Sequence, residues 1–324
     1  MTHSLISRPR RLRYNPAIRD IVKETRLHID NFVMPLFIKH GKNVKIAISS
    51  MPGQFQFSVD NLESEIKEIV DLGIKAVILF GIPEKKDAIG SDSLSDDGLI
   101  TQAIKQIKKF APNLLVVADV CMCEYTDHGH CGIIANEDVD NDQTLPILAK
   151  QALTFAKAGA DIVAPSGMID GMVGAIRESL DDNNYSHIPI LSYSMKYAST
   201  LYGPFRIAAE GAPQFGDRRS YQADYCNANE AVKEVALDIE EGSDMIMIKP
   251  AHTYLDVIYK IKQIYPEIPL AAYHTSGEYA MIKAACQNGW LDEEQAVLEI
   301  LTAIKRAGAD IIISYYTKYL ATIL

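Results

Sequence analysis

AGADIVAPS (158–166), EGSDMIMIKP (241–250) and AGADIIISYY (307–316) are three copies of one phrase: a glycine, a small residue, an aspartate and then an apolar run. DLGIKAVILFG (71–81) is a looser fourth copy. A helix that ends at glycine, turns briefly and passes into an unbroken apolar run describes a buried parallel strand. Working outward, eight such runs occur: Phe32 to Phe37, Ala76 to Phe80, Leu114 to Asp119, Ile162 to Pro165, Ile188 to Ser192, Met245 to Lys249, Leu270 to Tyr273 and Ile311 to Tyr315. Helical spacing separates them, as at Leu62, Ile66, Ile69 and Val70, or Ala296, Ile300, Ala303 and Ile304. Eight alternations in 324 residues predict an α/β fold, a (β/α)8 TIM barrel. A doubly wound open sheet is the runner-up, but no G-x-G-x-x-G follows a strand and there is no P-loop.

With 48% hydrophobic residues the chain has ample material for a large core, and no internal linker or low-complexity tract divides it. We expect one catalytic barrel, residues 31–324, preceded by an N-terminal arm, residues 1–30. The net charge of −10 argues against nucleic-acid partners. The basic cluster Arg8-Pro9-Arg10-Arg11-Leu12-Arg13 then suits an arm docking on an acidic neighbouring subunit. No apolar stretch approaches the roughly 20 residues that cross a bilayer, and no secretion-signal pattern opens the chain. A cytoplasmic protein without a membrane partner is expected, and the odd count of five cysteines speaks against disulfides.

Three of those cysteines lie in ADVCMCEYTDHGHCG (118–132), directly after the third apolar run, with two histidines and three carboxylates. A cysteine is commonly just a small buried hydrophobe. Three within eleven positions, able to converge if the chain loops back through Gly129, instead suggest a metal site of Cys121, Cys123 and Cys131 with imidazole nearby. C-x-C-x7-C is not a structural finger spacing, and three thiolates leave a fourth position open, as in catalytic zinc.

Barrels do their chemistry at the C-terminal ends of their strands. Those ends carry Asp119 with the cysteines, Ser166, Tyr193 with Lys196, Lys249, Tyr273 with Ser276, and Tyr315. Either lysine alone reads most simply as a rim residue in a salt bridge. Two on adjacent strands, beside a thiolate site, point to Schiff-base chemistry, because burial and a second ammonium each lower an amine's pKa. The longest unpatterned stretch, about 200–229, holds Gly203, Pro204, Gly211, Pro213 and Gly216, which we expect to prevent regular structure. Its length suits an active-site lid, with Arg206, Arg218, Arg219 and Gln222 closing over a carboxylate. These residues describe a barrel enzyme that condenses keto acids.

DVCMCEYTDHGHCG, SYSMKYAS…YGPFR, GDRRSYQ, MIKPA…YLD, SGEYAMIKAA and RAGADIIISYY, in this order from about Arg10 to the C-terminus, resemble the motifs of the porphobilinogen synthase, or 5-aminolevulinate dehydratase, family. The resemblance implies condensation of two 5-aminolevulinate molecules to porphobilinogen with loss of two waters, on the way to haem. It implies that Lys249 forms the Schiff base in the P site and that Lys196 holds the A-site substrate. Arg206, Arg218 and Gln222 match the A-site carboxylate contacts, Ser276 and Tyr315 those of the P site, and Asp119 and Ser166 polar contacts near the P-site amino group. Cys121, Cys123 and Cys131 match the catalytic zinc ligands of the zinc-dependent branch. Glu234 falls where some members bind allosteric magnesium, and the arm matches the one that builds the family's homo-octamers.

The chain departs from the family pattern at Tyr225, where proline is common, and at His252-Thr253 and His274-Thr275. The two histidines follow the sixth and seventh strands, where they would tune the site's pH profile or serve no role. A Schiff-base barrel aldolase needs one lysine and no metal, and a non-catalytic zinc scaffold needs neither lysine.

Overall fold

The structure, a computed structural model, describes residues 6–324; residues 1–5 of the expected arm lie outside them. Eight parallel strands form the barrel: β1 (Phe32–Lys39), β2 (Ala76–Ile82), β3 (Leu115–Val120), β4 (Ile162–Pro165), β5 (Leu191–Lys196), β6 (Met245–Lys249), β7 (Leu270–His274) and β8 (Ile311–Ser314). Their spatial order is β4-β3-β2-β1-β8-β7-β6-β5. The ring closes between β4 and β5 through the bridge from Val163 to Ile190, with Val163 N–H donating to the carbonyl of Pro189 at 3.2 Å. This seam is thin, and Pro189, which has no N–H to give, sits in it. The expected run Ile188 to Ser192 accordingly joins the sheet later, as Leu191–Lys196.

The repeated phrase has a mechanical explanation. Its glycines, Gly159, Gly242 and Gly308, sit at φ +104°, +101° and +125°, which let each helix stop and turn at once. Its aspartates each take the N–H at the base of the neighbouring strand: Asp161 from Val116 (2.7 Å), Asp244 from Ile190 (2.8 Å) and Asp310 from Leu270 (3.0 Å). In the looser copy Lys75 replaces the aspartate, and its backbone carbonyl accepts from Leu115 instead.

Helices shell the barrel, each with one apolar face. In Leu62–Asp71 the inward residues are Leu62, Ile66 and Ile69, while Val70 stays exposed. In Glu293–Ala307 the buried stripe is Val297, Leu301 and Ile304, turned from the expected Ala296, Ile300, Ala303 and Ile304. Val297 offers more apolar area than Ala296, and the inward stripe accordingly turns one step round the helix.

Before β1 lie the short helices Pro9–Leu12 and Pro16–Ile21, neither with a buried residue. Ile6, Leu12, Tyr14 and Ile21 along this stretch are exposed. Among the described residues no helix is long and apolar enough to cross a membrane.

Candidate active site

The β5–β6 register shifts between Ile246 and Ile248, so that Lys196 and Lys249 stand directly opposite each other at the strand ends. Bulges of this kind re-aim side chains next to active sites. Both lysines are buried. The Lys249 ammonium nitrogen lies 4.1 Å from the Tyr273 ring centre, and 5.1 to 5.3 Å from those of Tyr193, Tyr202 and Phe205. Burial in that aromatic cage, and then the charge of Lys196, push its pKa down to about 7.

Lys196 behaves otherwise than expected. It donates to the carbonyl of Ser166 at 2.6 Å. Burial pulls its pKa down too, but the thiolates of Cys131, Cys121 and Cys123, together with Asp119, outweigh that and hold it up. One member of the pair is thus a neutral amine and the other an ammonium.

Asp119 closes β3 and accepts from the Ser166 hydroxyl at 3.0 Å, while its other oxygen is buried without a partner. Burial and the nearby Glu124 raise its pKa to about 8. Glu124, which the sequence did not single out, is equally buried, and burial followed by the charge of Cys123 also raises it to about 8. Its position beside Cys123 was the available signal.

Cys121, Cys123 and Cys131 converge, their sulfurs all within 4.8 Å of one another, and all three are buried. Gly129, at φ +71°, makes the return turn, and a Cβ there would stand 2.3 Å from the carbonyl oxygen of Ala212. Gly129→Ala should therefore cost about 1–3 kcal/mol, the range for a residue forced into sparse backbone space, and a lowered urea midpoint measures it. The expected imidazole donors do not join the cluster. His130 has its ring nitrogens 3.0 Å from the Tyr221 hydroxyl and 3.0 Å from the Phe215 carbonyl, so it ties down the segment 200–229 instead. Among the described residues the other convergent donor set is Asp119, Cys121 and Glu124, and Glu234 belongs to neither.

Segment 200–229 is more regular than expected. Thr200–Tyr202 forms a 3-10 turn and Gly203–Ala208 a helix, because Pro204 sits in the first helical turn, where its missing N–H is harmless. The helix lays Phe205 and Arg206 over the barrel mouth. Arg218 is buried and donates to the carbonyls of Gly129 and Gly211, both at 2.8 Å, which leaves its Nε without a partner. The Nε of Arg206 and both amide atoms of Gln222 are likewise buried and unpartnered. Arg219 faces solvent beside Asp217. Tyr225 is exposed.

Ser276 begins a helix and is fully occupied: its hydroxyl accepts from Phe205 N–H at 3.0 Å and lies 3.3 Å from the carbonyl of Leu201. Tyr315 shares a 3.0 Å hydrogen bond with Tyr273. His274 is fully buried, 3.2 Å from the Ser314 hydroxyl, and burial drives its pKa to about 3. It stays neutral throughout the physiological range, so it cannot tune the pH profile; His252, half-buried, is also lowered by burial.

The cavity that Asp119, Glu124, Lys196, Lys249, Arg206 and Arg218 enclose has a free volume of about 10 Å³, little more than one water's worth. Two lysines, two carboxyl groups of raised pKa, guanidinium donors and a cysteine cluster therefore meet around one small cavity. Such a set can form an imine, move protons onto departing oxygen and hold a carboxylate.

The family model described as delta-aminolevulinic acid dehydratase matches residues 6–323. A protein of that name from Halalkalibacterium halodurans is 51% identical over 97% of this chain and 95% of its own length. Its Bacillus subtilis counterpart is 51% identical over 96% of both chains. The crystal structure of delta-aminolevulinic acid dehydratase (porphobilinogen synthase) from Toxoplasma gondii, in complex with the reaction product porphobilinogen, superposes with a TM-score of 0.96 at 42% identity, over 99% of this chain and 92% of that one.

Proposed function

Because the chain belongs to the delta-aminolevulinic acid dehydratase family, we propose how its residues divide the work of the family's reaction. The activity is that of a porphobilinogen synthase, a lyase of haem biosynthesis that condenses two 5-aminolevulinate molecules to porphobilinogen and releases two waters. A barrel aldolase would leave the second lysine and the thiolates without work.

Lys249 is the nucleophile. Its nitrogen bonds to the ketone carbon of the first substrate, the ketone oxygen leaves as water, and an imine remains. An ordinary lysine of pKa 10.5 is neutral in only about one molecule in 3,000 at pH 7, whereas a pKa of about 7 frees roughly half. The single observation that carries the proposal is geometric: Lys249 is buried at its strand end directly opposite a second buried lysine, Lys196. Lys196, opposite it, holds the second substrate. Asp119 and Glu124, both protonated at neutral pH, supply protons to departing oxygen, and Ser166 orients Asp119. The unpartnered donors of Arg206, Arg218 and Gln222 fit the carboxylate of the second substrate. Ser276 and Tyr315 take that of the first by exchanging their present hydrogen bonds.

Segment 200–229 is the lid. Its Phe205, Arg206 and Arg218 line the same cavity as the two lysines, so movement of this segment would govern access of substrate and water. Zinc fits Cys121, Cys123 and Cys131, since three converged soft donors with no fourth protein thiolate suit a catalytic ion. Bound there, zinc supplies Lewis-acid polarisation of a substrate oxygen.

For allosteric magnesium at Glu234 the support is electrostatic: burial, then the charges of Asp170, Asp238 and Glu230, raise its pKa in a polar cavity of about 740 Å³. The exposed apolar residues of the N-terminal stretch support an arm that packs on a neighbouring copy in a cytoplasmic homo-octamer.

The test is borohydride trapping of 5-aminolevulinate followed by peptide mapping across pH. Imine formation needs the neutral amine, so a depressed pKa predicts a trapping rate that climbs about tenfold per pH unit up to pH 7 and then levels. Label on another lysine, or a rate still climbing steeply between pH 8 and 9, would overturn the assignment.

A further inference from the structure

Glu278 takes no part in the reaction as assigned, yet its side chain is fully buried at the back of the site. All the donors it accepts from are neutral. They come from two separate places: the backbone N–H groups of Ala251 (3.5 Å) and His252, in the loop leaving β6, and the N–H (2.5 Å) and hydroxyl (2.9 Å) of Thr275, which caps the helix Ser276–Gln287. Ala251 stands two residues beyond Lys249. Thr275 stands next to Ser276, whose hydroxyl holds the lid at Phe205 N–H and lies 3.3 Å from the Leu201 carbonyl. Beside it, Gly277 lies so close to the lid that a Cβ would fall 2.6 Å from the oxygen of Leu201.

We propose that Glu278 is a positioning residue that joins the loop leaving Lys249 to the anchor of the lid, so that lid closure and the placing of the imine nitrogen occur together; this rests on Lys249 being the imine lysine. The physical case is that a helix cap needs one carboxylate oxygen at most. Here the second oxygen reaches across to His252, on a different strand end. Leaving a carboxylate in a dry interior is costly unless its hydrogen bonds are all made, and burial raises its pKa to about 7 against the hydrogen bonds from Thr275, His252 and Ala251. A helix cap alone gives no reason to sink the group so deep. A link between two moving parts does, because the bonds hold only when both parts are in register. The same geometry explains why Ser276 is occupied in the closed structure: it is the latch as well as a carboxylate contact.

The test uses the full-length zinc-loaded enzyme. Glu278→Gln keeps the size but presents an amide nitrogen to N–H donors. Folded Glu278→Gln, checked by circular dichroism and its denaturation midpoint, is expected to trap 5-aminolevulinate on Lys249 about 10- to 100-fold more slowly, the loss typical of a small displacement of a reacting group. In wild type, porphobilinogen should protect the lid from trypsin, which cuts at its arginines; in Glu278→Gln that protection should vanish. Thr275→Val deletes the capping hydroxyl but leaves Ala251 and His252 on the carboxylate, and it should trap and protect like wild type. Should Glu278→Gln fail to fold, Glu278→Asp, one methylene too short to span both loops, takes its place with the same expectation. Trapping at the wild-type rate with protection intact, in a folded Glu278 variant, overturns the coupling, as does equal damage from Thr275→Val. Absence of any Lys249 adduct in wild type would instead overturn the assignment of Lys249, and the coupling with it.

Discussion

Lys249→Ala is expected to give a folded protein without turnover. The loss should be on the order of 10⁴- to 10⁶-fold, the scale seen when a covalent catalyst loses a member of its machinery. Stability should not fall with it, because the substitution removes an amine whose charged form burial and the charge of Lys196 already disfavour. Lys249→Arg should be as inactive, since a guanidinium cannot give up its proton in a protein. Lys196→Ala behaves differently: it also loses turnover, but Lys249 remains and still forms a reducible adduct. Removing the neighbouring charge, the second cause of the depressed pKa, moves the pH at which trapping levels off upward. Steady-state rates, adduct mapping and a denaturation curve on the three variants check this. Turnover within tenfold of wild type in Lys249→Ala would end the Schiff-base assignment.

Chelation should stop turnover as completely, and zinc should restore it. The three sulfurs are buried and close, so without a cation their charge falls on whatever lies nearest. Lys196 is among those neighbours, and it is the thiolates that hold its pKa up. Stripping the cation therefore removes a Lewis acid and leaves three crowded sulfurs beside Lys196. Cys121→Ser and Cys131→Ser should reproduce the chelated state and resist rescue, because an alcohol is a poor zinc ligand at neutral pH. Metal content by mass spectrometry, read beside activity, checks it. Full activity in a preparation shown to hold no zinc would sever the thiolates from the reaction.

The barrel was legible because its strands are buried on both faces and read as apolar runs, with the glycine–aspartate phrase marking three of their entrances. The phrase was visible before its reason was: each aspartate serves the strand next door, a contact that sequence spacing does not reveal. The helix faces were read less well: Val297, larger than Ala296, takes the inward face, and Leu301 follows it one turn on in place of Ile300. Lys196, Lys249 and the cysteines were readable from their residue types at strand ends. Glu278 was not, because an isolated glutamate in sequence looks like a solvated one and only tertiary burial distinguishes it, whereas Glu124 had only its place beside Cys123 to mark it. The imidazole expected near the cysteines is there, but the nitrogens of His130 are spent on Tyr221 and Phe215.

A resting chamber with free space for about one solvent molecule also bears on the fate of what is made inside it. An imine in contact with bulk solvent hydrolyses back to its ketone. Phe205 and Arg206 crowd the mouth of this cavity and limit how much solvent reaches that bond, so fidelity here is a matter of timing: ring formation has to outrun the return of water.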